Sequence, residues 1–138
     1  MPMRRHFIAL ACTLVVLATT GCATARIALQ CAPGQDAAID ERLYFGTQRP
    51  DGVVSDLEWE AFIDEVIAPA FPAGFTTWPA QGAWRDASGR TTREASHVLA
   101  VVHAASETSA PAIATVIAAY KTRFAQEAVL RTSTPTCM

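Results

Sequence analysis

The amino-acid sequence predicts an α+β domain in which four strands and two helices follow one another in the order β-α-β-β-α-β. Two segments repeat their apolar residues at the 3.6-residue period of a helix, and each lies between segments rich in β-branched and aromatic residues. A turn sequence joins the second and third strands as a hairpin. The 138-residue chain shows no repeat and no low-complexity tract, so a single domain accounts for it.

The first strand and the first helix carry clear local signals. Arg42–Thr47 is a short, aromatic-rich run that ends before a Pro-Asp-Gly turn at residues 50–52. Ser55 and Glu58 then form a capping box, in which the Ser55 hydroxyl accepts the Glu58 N–H and the Glu58 carboxylate reaches back to Ser55. The apolar face of the helix contains Trp59, Phe62, Ile63, Val66 and Ile67, and Pro69 and Pro72 are predicted to end the helix.

The remaining elements are a hairpin, a second helix and a last strand. The second strand is predicted over Phe75–Trp84, with irregular pairing at Pro79 and a bulge at Gly82. A turn at residues 86–89 leads into the third strand, predicted over Glu94–Ala104. Ser109 and Pro111 open the second helix, its buried stripe contains Ile113, Val116, Ile117, Tyr120 and Phe124, and the last strand is predicted over Ala128–Thr132.

This order of elements is that of the ferredoxin-like fold, a four-stranded antiparallel sheet with two helices on one face. The first and third strands would lie in the middle, with the last strand beside the first. The third strand fits a central position because both of its faces are apolar, Val98, Ala100 and Val102 on one and Leu99 and Val101 on the other. Since the helices cover only one face, a second copy, a ligand or another protein is expected to cover the open face.

The first 22 residues have the three parts of an export signal. Arg4 and Arg5 supply a basic head, an apolar run extends from Phe7 to Ala18, and small residues lead to Gly21-Cys22. The Gly-Cys end predicts that Cys22 carries a lipid that anchors the protein in a membrane. Residues 1–21 would then be a lipoprotein-type signal peptide, residues 22–40 a tether, residues 41–132 the folded domain and residues 133–138 a C-terminal tail.

Two other interpretations of this segment stay open. Thr19 lies three residues before the cysteine, where bacterial lipoprotein signals usually carry Leu, and cleavage after Ala25 would instead release a soluble periplasmic protein. The run of apolar or small residues from Phe7 to Ala23 has 17 residues, which is at the lower limit of length for a retained membrane span. The predicted location is therefore the cell envelope, lipid-anchored and facing the periplasm, and Ala23 after the cysteine is compatible with passage to an outer membrane.

Charge and cysteine usage agree with export. Without residues 1–21 the chain has nine basic and 13 acidic side chains, which gives a formal charge of −4. A negatively charged protein is not attracted to the phosphates of nucleic acid, so we expect no nucleic-acid partner. Cys12 lies within the signal. The mature protein would therefore contain Cys31 and Cys137 in addition to the lipidated Cys22. In an oxidising compartment these two are expected to form a disulfide, with free thiols as the alternative. Their separation of 106 positions has none of the short ligand spacings of a metal site.

Six short motifs occur in order between residues 42 and 131. They are Leu43-Tyr44-Phe45-Gly46; Gly52-Val53-Val54-Ser55 with Trp59 and Phe62; Phe71-Pro72-Ala73-Gly74 with Thr76; Gly82 with Trp84-Arg85; Arg93-Glu94 with Ser96; and Tyr120 to Gln126-Glu127. Together they resemble a bacterial family of small exported proteins, domain of unknown function 3574. Ala83 stands where that family is expected to favour Gln. The resemblance implies an exported, often lipoprotein-like protein and no particular activity.

The chain contains no catalytic motif and no cofactor fingerprint, so we predict no catalytic residue, no metal ligand set and no cofactor. His97 and His103 share a face of the third strand. Six residues at 3.3 Å each place them about 20 Å apart, too far to ligate one metal ion.

Four residues form the candidate ligand-binding set. Arg42 and Glu94 are expected to meet at one end of the sheet, and Trp59 and Tyr120 to line a pocket between the sheet and the helices. A salt bridge at the sheet margin and an aromatic core are the structural alternatives. The predicted function is a non-catalytic binding or interaction module with a homodimer or protein partner on the open face. A small-molecule-binding protein or enzyme that uses this pocket is the alternative, so enzymatic activity is left open.

Overall fold

The computed structural model describes residues 30–85 and 88–138. Strand β1 (Ala37–Gly46) is followed by a small hairpin of β2 (Gln48–Arg49) and β3 (Gly52–Val53), and later by β4 (Thr76–Arg85), β5 (Thr91–Ala104) and β6 (Leu130–Cys137). The predicted signal peptide, Cys22 and the tether up to residue 29 lie outside the described residues, as do Asp86 and Ala87 of the predicted turn.

The main sheet has the order β4-β5-β1-β6, and each neighbouring pair is antiparallel. Strands β1 and β5 lie in the middle and β6 lies beside β1, so the predicted ferredoxin-like arrangement is confirmed. The outer ends of β1 and β6 extend further than predicted, since Ala37 pairs with Cys137. This pairing provides hydrogen-bond partners for the backbone N–H and C=O groups of residues whose side chains do not indicate a strand.

The first helical segment contains α1 (Asp56–Phe62), a π-helical turn (Ile63–Ile67) and the short α2 (Ala68–Ala70). Its start is the predicted capping box: Glu58 N–H donates to Ser55 Oγ at 3.3 Å, and Ser55 N–H donates to the Glu58 carboxylate at 2.8 Å. Pro69 lies inside the segment, one residue before its end. The wide π turn ends at Ile67, two residues before this proline, whose ring would otherwise press on a carbonyl of the preceding turn.

Helix α3 (Ala110–Phe124) begins directly after Ser109, as predicted, and ends at Ala125, which has a left-handed backbone (φ 51°). Both helical segments cover the sheet face formed by the odd-numbered strand residues. The core on this face contains Leu43, Phe45, Val54, Trp59, Phe62, Ile67, Phe71, Leu99, Val101, Ile113, Val116, Tyr120 and Phe124. The Phe45 and Tyr120 rings lie 4.7 Å apart at its centre.

The pairing of β4 with β5 is regular, so the predicted irregularity of this strand is wrong. The register runs without a break from Thr76 opposite Ala100 to Arg85 opposite Thr91, and Gly82 pairs with Glu94 without a bulge. Pro79 is tolerated because β4 is an edge strand, where an N–H that points away from the sheet has no ladder partner to lose.

The structure contains the predicted disulfide between Cys31 and Cys137, whose Cα atoms are 5.7 Å apart. Beside it, the backbones of Asp36 and Met138 exchange two hydrogen bonds of 2.9 and 3.0 Å. The disulfide and these hydrogen bonds join the segment before β1 to the end of β6.

Candidate functional site

A groove runs along the helix-side face of the β4–β5 hairpin, beside the loop that joins β1 to α1. It consists of three adjoining cavities of about 390, 590 and 380 Å³. The first two share Gln48, Gln81 and Ala95, and the last two share Asp56, Pro79 and His97. We call this feature the hairpin groove.

His97 lies where the second and third cavities of the hairpin groove meet. Its imidazole stacks on the Trp59 indole, with ring centroids 4.3 Å apart and planes 7° from parallel. Burial lowers the pKa of His97, and the negative charges of Asp56 and Glu60 on α1 oppose this shift. The imidazole is therefore neutral at neutral pH and offers one hydrogen-bond donor and one acceptor.

Glu94 and Arg93 line the first cavity, at one end of the hairpin groove. The Glu94 carboxylate packs so closely on Gly46 that a Cβ at this glycine would collide with it. The Tyr120 hydroxyl donates to the Gly46 carbonyl oxygen at 2.9 Å. Burial raises the pKa of Tyr120, and the negative charge of Glu94 adds to this effect. Glu94 and Tyr120 therefore meet at the last residue of β1.

Two further side chains fix the loop that borders the groove. Gln126 Nε2 donates to the Gln48 carbonyl oxygen at 2.6 Å, consistent with its position at a helix end. Arg49 Nη1 donates to the Glu58 carboxylate at 2.8 Å. The Ser55 backbone N–H and then Arg49 lower the pKa of Glu58 to about 2. No sequence motif indicates Arg49, because only the folded β2–β3 turn brings it to α1.

The structure brings together three of the four candidate ligand-binding residues. The Trp59 and Tyr120 rings are 6.2 Å apart, and Glu94 approaches Tyr120 at Gly46. Trp59 and Tyr120 are only 4% and 0% exposed, so they support the groove from within the core.

Arg42 does not join this group. It lies on the open face, where its guanidinium binds Asp40 at 2.8 Å. It pairs in register with Ala100, six positions along β5 from Glu94, or about 20 Å at 3.3 Å per residue. Antiparallel pairing places the start of β5 beside the end of β1 rather than beside its start, which is why the expected meeting of Arg42 and Glu94 does not occur.

The open face carries a row of apolar side chains across all four strands. The strand register aligns Leu130, Tyr44, Val98 and Trp78 on β6, β1, β5 and β4. Leu130 and Trp78, at the two edges, are 62% and 38% exposed, whereas Val98 in the middle is 1% exposed. Val102 on the same face is 50% exposed.

The described residues contain neither a metal site nor a membrane-spanning helix. No group of three or more His, Cys, Asp or Glu side chains among residues 30–85 and 88–138 is arranged to hold a metal ion. Over the same ranges, no helix has the length and apolar character needed to span a bilayer.

Residues 40–138 match the sequence profile of a family described as "Protein of unknown function (DUF3574)". The chain belongs to the DUF3574 family. The match covers almost the whole sheet, both helical segments and the hairpin groove, and it agrees with the motif resemblance. No curated protein matches this DUF3574 member.

Two solved structures are similar to this DUF3574 protein. A phage SAM lyase in complex with S-methyl-5'-thioadenosine is 12% identical, with a TM-score of 0.54 over 73% of this chain and 88% of that chain. A phage SAM lyase in the apo state is 13% identical, with a TM-score of 0.49 over 80% of this chain and 94% of that chain. At such low identity the first of these likenesses shows the fold alone.

Proposed function

We propose that this DUF3574 protein is an exported, lipid-anchored protein of the cell envelope whose open sheet face is a non-catalytic binding surface. The basic head, the apolar run and the Gly21-Cys22 end of the N-terminal segment support export and lipidation at Cys22. The disulfide between Cys31 and Cys137 supports a location facing the periplasm, because such bonds persist in oxidising compartments and are rare in the cytosol.

The observation that carries the binding role is the apolar row on the open face, and the proposed occupant is a second copy of this chain. A two-fold contact requires a self-complementary patch. Asp40 and Arg42 provide opposite charges on the central strand β1, so that each Arg42 can approach the Asp40 of the other copy. The rest of the face is mostly small and uncharged, with residues such as Thr76, Ala80, Ser96, Ala100 and Thr132 that allow two sheets to approach closely.

Sedimentation velocity at micromolar concentration tests the proposed dimer with the chain that lacks residues 1–22. The unmodified protein is expected to sediment as a dimer. Val102→Lys and Leu130→Lys should each shift it to the monomer, because they place like charges on the apolar patch. Leu57→Lys is the matched control, since Leu57 is exposed on α1, away from the open face. A monomeric unmodified protein, or a dimer that both variants retain, would contradict the proposal.

Mass spectrometry of the protein purified from membranes tests the proposed anchor. We expect a mature N-terminus at Cys22 that carries the mass of attached acyl chains, and we expect Cys22→Ala to release the protein from the membrane. An unmodified N-terminus at Arg26 would contradict the proposed lipid anchor and would indicate a soluble periplasmic protein.

A second candidate function, small-molecule binding, is favoured by the hairpin groove, which has Arg93 and Glu94 in its first cavity and His97 between its second and third cavities. The phage SAM lyase that shares the fold was solved with S-methyl-5'-thioadenosine, and this compound supplies one probe for a thermal-shift screen of nucleosides and small metabolites. A ligand at 100 times its Kd should stabilise the protein by about 2.7 kcal/mol.

Glu94→Gln and Gly46→Ala decide whether the groove binds such a probe. Gly46→Ala displaces the Glu94 carboxylate without altering its charge. Both variants should reduce the shift, whereas Lys121→Gln on the exposed side of α3 should preserve it. An equal thermal shift in all three variants would show that the ligand binds outside the hairpin groove.

A further inference from the structure

His103 and Ser109 form a hydrogen-bonded pair that neither proposed function uses. His103 lies near the end of β5, Ser109 directly precedes α3, and the distance from Ser109 Oγ to His103 Nε2 is 2.9 Å. His103 Nδ1 lies 2.9 Å from the Ala104 carbonyl oxygen. A carbonyl oxygen only accepts hydrogen bonds, so Nδ1 carries the proton of the neutral ring. Nε2 is then the basic nitrogen and accepts a hydrogen bond from the Ser109 hydroxyl.

The pair lines a cavity of about 170 Å³ that is separate from the hairpin groove. The cavity lies between the end of the first helical segment, β5 and the start of α3. Phe71, Pro72, Val101 and Ala112 give it largely apolar walls. A cavity of this size and polarity suits a short acyl group.

The start of α3 supplies hydrogen-bond donors beside the hydroxyl. The first bond of this 15-residue helix runs from the Ile113 N–H to the Ser109 carbonyl oxygen. The Ala112 N–H therefore has no intrahelical acceptor, and Ala112 itself lines the cavity. Backbone N–H groups at a helix N-terminus stabilise the oxyanion that forms during acyl transfer.

We propose that Ser109 and His103 are the nucleophile and general base of an acyl-transfer site for small esters. Ser109 Oγ attacks the ester carbonyl carbon while His103 Nε2 takes the hydroxyl proton. The tetrahedral intermediate then collapses, the carbon–oxygen bond to the alcohol breaks, and His103 returns the proton to the departing alcohol. Water, activated by His103, next adds to the acyl group on Ser109 and releases a carboxylic acid and the free serine.

The test uses the chain that lacks residues 1–22 with p-nitrophenyl acetate as the probe. We expect release of p-nitrophenolate above the spontaneous rate and a single acetyl group on Ser109 in peptide mass spectra. Ser109→Ala should reduce release to the spontaneous rate, and His103→Gln should slow acetylation of Ser109 by about 100-fold or more. Ser106→Ala, an exposed serine in the same turn, should leave the rate unchanged.

Added imidazole separates a catalytic role of His103 from a structural one. Free imidazole should restore a large part of the acetylation rate to His103→Gly, because a diffusing base can replace a missing catalytic side chain but not a packing contact. If His103→Gly does not fold, two other measurements test the site. They are the position of the acetyl group in the unmodified protein and the rate at which Ser109→Ala releases p-nitrophenolate. Acetylation confined to lysines, or release that Ser109→Ala does not alter, would overturn the proposal.

Discussion

Glu41 is a charged residue buried on the helix side of the sheet. Arg131 donates two hydrogen bonds to its carboxylate at 2.6 and 2.9 Å, and Ser133 donates a third at 3.1 Å. The hydrogen bonds from Arg131 lower the pKa of Glu41, although burial opposes them. The charge is compatible with its position because these donors replace the lost water.

The lowered pKa of Glu41 predicts that the protein loses stability in acid. A carboxyl group whose pKa is lower in the folded state stabilises the fold above its unfolded pKa, near 4.5, and this contribution is lost as pH falls through the folded value. Glu41→Gln should cost about 1–3 kcal/mol at pH 7 and flatten the pH dependence. Urea unfolding between pH 7 and pH 3 measures both effects, with the exposed Glu107→Gln as control. An unchanged acid slope in Glu41→Gln would contradict this assignment.

Tyr120→Phe removes a single hydroxyl from the corner where β1 ends. The Gly46 carbonyl oxygen would lose its 2.9 Å hydrogen bond inside a poorly hydrated region, and we expect a loss of about 1–2 kcal/mol in the free energy of unfolding. Equilibrium urea unfolding measures the change. A variant as stable as the unmodified protein would show that water readily replaces the hydroxyl.

At the scale of single residues, predictions from the sequence succeeded where the partner is close along the chain. Ser55 and Glu58 are three positions apart, and their residue types alone indicate a capping box. Glu41 and Arg131 are 90 positions apart, and neither lies in a motif that indicates the other. Only the pairing of β1 with β6, which sets Leu43 opposite Arg131, brings the two together.

Among the elements, the first helical segment depends on its capping box. Ser55→Ala should destabilise the protein by about 1 kcal/mol, because the Glu58 N–H loses its acceptor while the rest of the helix is unchanged. Ser55→Thr keeps a hydroxyl and should retain most of the stability. Thermal unfolding of the two variants side by side checks this, and equal losses for both would indicate that the cap contributes nothing specific.

The strands show where element prediction reaches its limit. Periodicity and turn residues located β4 and β5 to within a few positions, but the bulge expected at Gly82 is absent. A proline on an edge strand leaves the ladder intact when its nitrogen faces solvent, and Gly82 fits a regularly paired strand without a bulge. The predicted ferredoxin-like order already places β4 at an edge of the sheet, but the pairing of Pro79 and Gly82 depends on the strand register, which is a property of the whole sheet.

In the whole molecule, the disulfide closes the chain into a loop with a separation of 106 residues. The double variant Cys31→Ser/Cys137→Ser is expected to lower the free energy of unfolding by about 2–5 kcal/mol, mainly because the unfolded chain gains freedom. Urea unfolding with and without dithiothreitol checks this. The reductant should destabilise the unmodified protein and leave the double variant unaffected. A wild-type midpoint that is insensitive to full reduction would contradict the expectation.

The sequence by itself determined the types and order of the four main strands and the two helical segments, and it determined the capping box. These features depend on side-chain periodicity and on neighbours within a few residues. Only the tertiary structure decided that Glu94 meets Tyr120 at Gly46 while Arg42 lies on the open face, and that His103 contacts Ser109. Such contacts follow from antiparallel register and from the way the helices pack on the sheet. Both arise from the packing of the whole core, and no single segment specifies them.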